Sequence, residues 1–155
     1  MSDNEEFFIG KEYDLKTKKL TDNKVLYDPA DLTTHMFVTG MTGSGKTGLC
    51  VGIMEEAALQ NIPAIIIDPK GDLTNLVLHF PDLLPEDFQP WIDPEAARRE
   101  KITIQEKAAE VASSWKNGLA DWGIYKENIE KLKNSAEFAI YTPGSTSGIA
   151  VDIVS

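Results

Sequence analysis

Gly40-Met41-Thr42-Gly43-Ser44-Gly45-Lys46-Thr47 satisfies the pattern G-x-x-x-x-G-K-[ST] at every specified position. Its flanks fit the same reading. His35-Met36-Phe37-Val38-Thr39 before it reads as a buried strand, and Gly48-Leu49-Cys50-Val51-Gly52-Ile53-Met54 after it suits a helix. A glycine-rich turn between strand and helix is the setting in which backbone amides hold a phosphate.

The composition of the loop follows from close backbone approach. Gly40, Gly43 and Gly45 keep side chains away from phosphate oxygens and permit dihedrals barred to other residues. The N–H groups of residues 43 to 48 can then converge on an anion, with the helix dipole adding to the attraction. Lys46 is placed to reach the β- and γ-phosphates, and the Thr47 hydroxyl to ligate Mg²⁺. Thr42, Ser44 and Gly48 complete the expected nucleotide-phosphate cradle.

Length and composition fit one globular domain. The chain has 155 residues, 42% of them hydrophobic, and no apolar run approaches the ~20 residues needed to cross a membrane. Met1-Ser2-Asp3-Asn4-Glu5-Glu6 is acidic and unlike a signal peptide, and a single cysteine cannot form an internal disulfide. Both point to a cytoplasmic chain. Cys50 falls in an apolar stripe with Leu49, Ile53, Met54 and Ala57, which suits burial better than reactivity. The net charge of −10 argues against bulk electrostatic binding of nucleic acid. Lys16, Lys18, Lys19 and Lys24 form the densest basic cluster, but Asp14 and Asp22 interrupt it, as in a solvated loop.

Working outward, Phe7 to Tyr13 reads as one strand, Val25 to Tyr27 as a second, and Asp14 to Lys24 as the turn between. These lead, over residues 1–28, into a core that starts at Pro29 and runs to residue 155. Asp28-Pro29-Ala30-Asp31 breaks the pattern before the loop strand. The helix after the loop should end near Asn61-Ile62-Pro63, since proline disfavours helix before it. Ala64-Ile65-Ile66-Ile67 has the continuous β-branched character of a parallel strand covered on both faces. Farther on, Thr103 and Glu106 form a capping box. Ala108, Val111, Ala112, Trp115, Leu119 and Trp122 recur at helical spacing, so the tryptophans read as core. Gly123 stops that helix, residues 125–134 form a shorter one, and Glu137 to Tyr141 reads as another strand. His35 and His79 lack second ligands at metal spacing.

Ile65-Ile66-Ile67-Asp68 mimics a Walker B pattern, an apolar run ending in an acid at a strand's carboxyl end. Ligands gather at such ends in open α/β sheets. Asp68 is therefore a candidate for catalysis beside Lys46 and for metal binding beside Thr47. Pro69, instead of a second acid, follows it, so a loop-capping role competes.

Asp31-Leu32-Thr33-Thr34-His35 leading into the loop, with Asp68-Pro69-Lys70-Gly71-Asp72 after the next strand, resembles the HerA/FtsK superfamily of P-loop ATPases. The HerA helicase central domain is the closer likeness. Phe8-Ile9-Gly10-Lys11 and Tyr141-Thr142-Pro143-Gly144-Ser145 are similar to segments of the same relatives. The resemblance implies a RecA-like α/β P-loop NTPase, a three-layer sandwich around a mostly parallel sheet. It further implies an ATP- and Mg²⁺-dependent hexameric DNA translocase or helicase, sometimes partnered by a nuclease. The family's Asp-Glu Walker B strand and arginine finger are expected beyond Ser155, so this chain is expected to bind ATP without efficient hydrolysis. Two other classes compete. A small P-loop kinase or GTPase would need an arginine-rich lid or an Asn-Lys-x-Asp guanine reader; Arg98-Arg99 and Asn23-Lys24-Val25-Leu26 supply neither. A non-catalytic nucleotide-binding regulatory module is the other.

Overall fold

The computed structural model describes residues 6–152, and its first element follows from Asp14. One oxygen of that carboxylate accepts the Lys16 N–H at 2.8 Å and the other accepts the Thr17 hydroxyl at 2.8 Å. Lys18, at φ 55°, completes the reversal. Strand β1 (Phe7–Asp14) consequently pairs antiparallel with β2 (Lys19–Tyr27), Phe7 facing Tyr27 and Asp14 facing Lys19. The expected long polar turn is mostly strand. Polarity there marks a solvated ribbon rather than a loop, because an antiparallel pair tolerates a wet face. Cross-strand contacts include Asn23 Nδ2 donating to Glu12 Oε2 at 2.8 Å and the Lys24 ammonium 5.7 Å from the Phe8 ring centre.

Asp28 then caps a short 3-10 turn, Pro29–Thr33, by accepting the Ala30 N–H at 2.8 Å. Helix α1 (Lys46–Leu59) starts directly from the glycine-rich loop. It stops where expected: Asn61 adopts φ 58°, and the Ile62 N–H returns to the Ala57 carbonyl at 2.8 Å. Helix α1 packs on β1, whose Phe7 is fully buried, and buries Ala57 and Ala58. The chain forms two compact units. One runs to Val77 and resumes at Ser135; the other spans Leu78–Asn134.

The second unit is helical. Its elements are α2 (Pro85–Phe88), α3 (Pro94–Glu100), α4 (Ile104–Asp121) and α5 (Lys126–Ser135). Asp93 opens α3 by accepting the Glu95 N–H at 2.9 Å, with Pro94 pre-set for the first turn. The capping box of α4 forms as expected: Thr103 Oγ1 accepts the Glu106 N–H at 3.1 Å, and Glu106 Oε2 accepts the Thr103 N–H at 2.7 Å. Gly123, at φ 72°, follows its end. The core of this unit is Phe88 against Ala108 and Ala112, with Phe80, Leu83, Ile92 and Val111 around them. Trp115 and Trp122 are a correction. They are 56% and 41% exposed, because α4 meets α2 through its alanines and the tryptophans lie farther along the helix.

Strands are the larger correction. Residues 35–39 and 64–67 carry no regular secondary structure, and among the described residues no ladder pairs them. Phe37, Ile65 and Ile67 stand 89%, 96% and 88% exposed. An apolar β-branched run favours a pleated surface, but strand formation is a property of a hydrogen-bonded pair. The strand expected over residues 137–141 reduces to β3 (Tyr141–Pro143), parallel to β4 (Ile149–Val151). Only residues 144–148 join these two, whereas parallel strands ordinarily need a crossover of a dozen residues or more. Thr142 makes the short return possible. Its hydroxyl donates to the Ser145 carbonyl at 3.0 Å and accepts the Gly148 N–H at 3.1 Å. The fold is mixed α/β with short sheets.

Candidate nucleotide site

Three features give the loop at residues 40–47 its shape. Gly43 and Gly45 hold φ of 79° and 87°, the left-handed region that costs any other residue energy. The Ser44 N–H donates to the Met41 carbonyl at 3.1 Å, winding the loop around that oxygen. The same carbonyl accepts the Lys46 ammonium at 2.6 Å. A backbone oxygen thus spends one of three ammonium protons to brace the side chain across the loop.

Gly40 has a separate reason to be glycine. A Cβ there would lie 2.4 Å from Ser44 Oγ and 3.4 Å from Lys46 Cγ. Gly45 is the N-cap of α1, and no side chain caps the helix. Early amides at a helix start need acceptors, and an uncapped start offers them, with the positive end of the dipole, to an anion. Gly40, Thr42, Gly43, Ser44, Gly45, Thr47 and Gly48 are all exposed, and Lys46 is half-buried. Helix-start amides, one braced cation and a neighbouring hydroxyl fit a phosphate chain with its divalent metal, and the absent Gly40 side chain leaves room for the Ser44 hydroxyl. ATP and Mg²⁺ are chemically suited to this donor set.

Asp68 is placed differently from the cradle. Its Oδ1 accepts the Gly71 N–H at 2.9 Å and its Oδ2 accepts the Leu73 N–H at 2.8 Å. Those amides, Leu73 foremost, and the Asp72 and Lys70 amides hold its carboxyl below the ordinary aspartate range. Gly71 adopts φ 79°, which turns successive amides toward the carboxylate. Lys70 pairs with Asp72 within the same loop, and Thr74 Oγ1 donates to the Gly71 carbonyl at 3.3 Å. On α1, burial pushes the Glu55 carboxyl up, and the neighbouring Glu56 adds to the shift. In the helical unit, Arg98 and Arg99, the chain's two arginines, pair with Glu95 and Asp93.

Sequence reasoning named the glycines, Lys46 and Thr47, and the geometry brings them together at one helix start. It missed the Met41 carbonyl, since a backbone oxygen carries no residue signature. Among the described residues no helix is long and apolar enough to cross a membrane. No curated protein and no solved structure matches the chain. A family model described as the central domain of the helicase HerA matches residues 15–142, and with most of its length inside that match the chain belongs to the HerA-like family of P-loop ATPases.

Proposed function

We propose that this chain binds ATP with Mg²⁺ as part of a HerA/FtsK-type motor, a ring-forming ATPase that moves DNA. The observation that carries the reading is the loop at residues 40–47, wound on the Met41 carbonyl with Lys46 braced across it at an uncapped helix start. Lys46 would face the β- and γ-phosphates and Thr47 the metal, which would neutralise charge on the phosphate oxygens.

Family membership supports the rest of the reading by analogy. Residues 1–28 lead into a P-loop core over residues 29–155, a three-layer α/β sandwich around a mostly parallel sheet. The assembled ring is a homohexamer in a cytoplasmic, reducing setting, as a single cysteine suits. DNA lies in its pore, and a nuclease is a fitting partner.

The test is calorimetric titration with Mg-ATP. Lys46→Ala is expected to abolish binding while circular dichroism stays unchanged, because it removes the cation from an exposed loop. Unchanged affinity in that variant would sink the phosphate-cradle reading.

A further inference from the structure

Asp68 stands at the carboxyl end of an apolar segment, where P-loop proteins hold catalytic or metal-binding acids, yet its surroundings describe another job. Both carboxylate oxygens already accept backbone amides, Gly71 at 2.9 Å and Leu73 at 2.8 Å. The Lys70 and Asp72 amides also favour its ionised form, so successive N–H groups of one short loop surround a single carboxylate. Such a concavity of amides is an anion-binding nest, and here the chain fills it with its own side chain. The rest of the loop is closed on itself by the Lys70–Asp72 pair and the Thr74–Gly71 bond.

We infer that Asp68 is a positioning residue, which orders the loop at residues 69–74 and does not ligate the magnesium ion. The inference rests on the nucleotide reading above. A carboxylate that turned to a cation would strip acceptors from the Gly71 and Leu73 amides. That exchange is unfavourable unless the loop rearranges, because hydrogen bonds to a charged group are among the stronger ones. Thr47, at the exposed start of α1, has no such commitment to a loop and is left as the metal-facing side chain.

Two measurements on the full chain separate the roles. The first is amide hydrogen exchange at Gly71 and Leu73, followed by NMR without any ligand. Asp68→Ala is expected to speed exchange at both amides roughly tenfold or more, and Asp68→Asn, which keeps one acceptor oxygen, by less. The second is ATP affinity with Mg²⁺ and with EDTA. Asp68→Ala should keep the wild-type gain from Mg²⁺, whereas Thr47→Ala should lose it. Loss of that gain in Asp68→Ala, as complete as in Thr47→Ala, would make Asp68 a metal ligand and overturn the inference. Unchanged exchange at both amides would overturn it equally. Should the wild-type chain fail to bind ATP, the nucleotide reading falls, and the exchange data alone decide whether Asp68 orders the loop.

Discussion

At the scale of single residues, backbone conformation decides more than side-chain chemistry does. Gly45 has φ 87° and is the last residue before α1. An alanine there would sit in left-handed space, at a cost of about 1–2 kcal/mol. The loop would then relax by moving the very amides that the phosphates need. Gly45→Ala is therefore expected to weaken Mg-ATP binding at least tenfold with little loss of helical signal, read by titration and circular dichroism. Wild-type affinity would mean that the left-handed turn is not what shapes the cradle. Gly40→Ala acts by crowding instead, since its Cβ would lie 2.4 Å from Ser44 Oγ. Rotating the Ser44 hydroxyl relieves that contact, so its penalty on affinity should be the smaller of the two. The glycines and Lys46 were legible as letters in the sequence. The Met41 carbonyl that braces the lysine was not, because every residue has one.

At the scale of elements, the capping of α4 gives a quantitative expectation. Thr103 and Glu106 satisfy each other's amides, and Thr103→Ala should cost about 1 kcal/mol of stability. The Glu106 carboxylate accepts from the Thr103 amide and then its hydroxyl, and both bonds hold its pKa below the ordinary glutamate value. Its pKa in the folded chain thus lies below that in the unfolded chain. The stabilisation is present above the unfolded value and is lost as pH falls through the folded one. Acid should therefore destabilise the helical unit, and Glu106→Gln should flatten that loss below about pH 4.5. Thermal melts of both chains between neutral pH and pH 3 would decide; identical slopes would rule the capping box out as an acid-sensitive element. Asp14 in the hairpin turn, with a pKa lowered chiefly by the Lys16 amide, adds loss of the same sign elsewhere. The capping box and the Gly123 stop were readable because they are local. The α3 start was readable too, since Asp93-Pro94 is a cap followed by a first-turn proline, but no apolar periodicity drew attention to it.

For the whole molecule, composition and pairing set the expectations. This chain alone should bind ATP yet release phosphate far more slowly than ~1 s⁻¹. An arginine finger alone is worth about 10³–10⁵ in rate, and both arginines here are paired with acids of the helical unit. Steady-state turnover near 1 s⁻¹ would show that this chain supplies its own water-positioning and charge-stabilising groups. Duplex DNA should not bind measurably at physiological ionic strength. The chain carries a net charge of −10, and each phosphate contact must come from a local cation and weakens with salt. Fluorescence anisotropy with a labelled duplex tests this. Micromolar binding with a steep salt slope would instead locate a basic surface, with the hairpin lysines 16 to 24 as the first to reverse in charge.

What the sequence determined by itself is whatever depends on neighbours in the chain. The phosphate loop, the stop of α1, the α4 box and the break at Asp28-Pro29 each rest on contacts a few residues apart. Tertiary structure alone decided which apolar faces are covered. Ile65, Ile67 and Phe37 have the character of buried strand residues and stand exposed, whereas Ala108 and Ala112, the smaller members of the α4 stripe, carry the core against Phe88. Burial and strand pairing depend on what a distant segment brings, and no local pattern encodes the distance. Asp68 stands between the two cases: its place at the end of an apolar run left metal binding and loop capping both open, and the folded loop brings the amides of Gly71 and Leu73, three and five residues on, to its carboxylate.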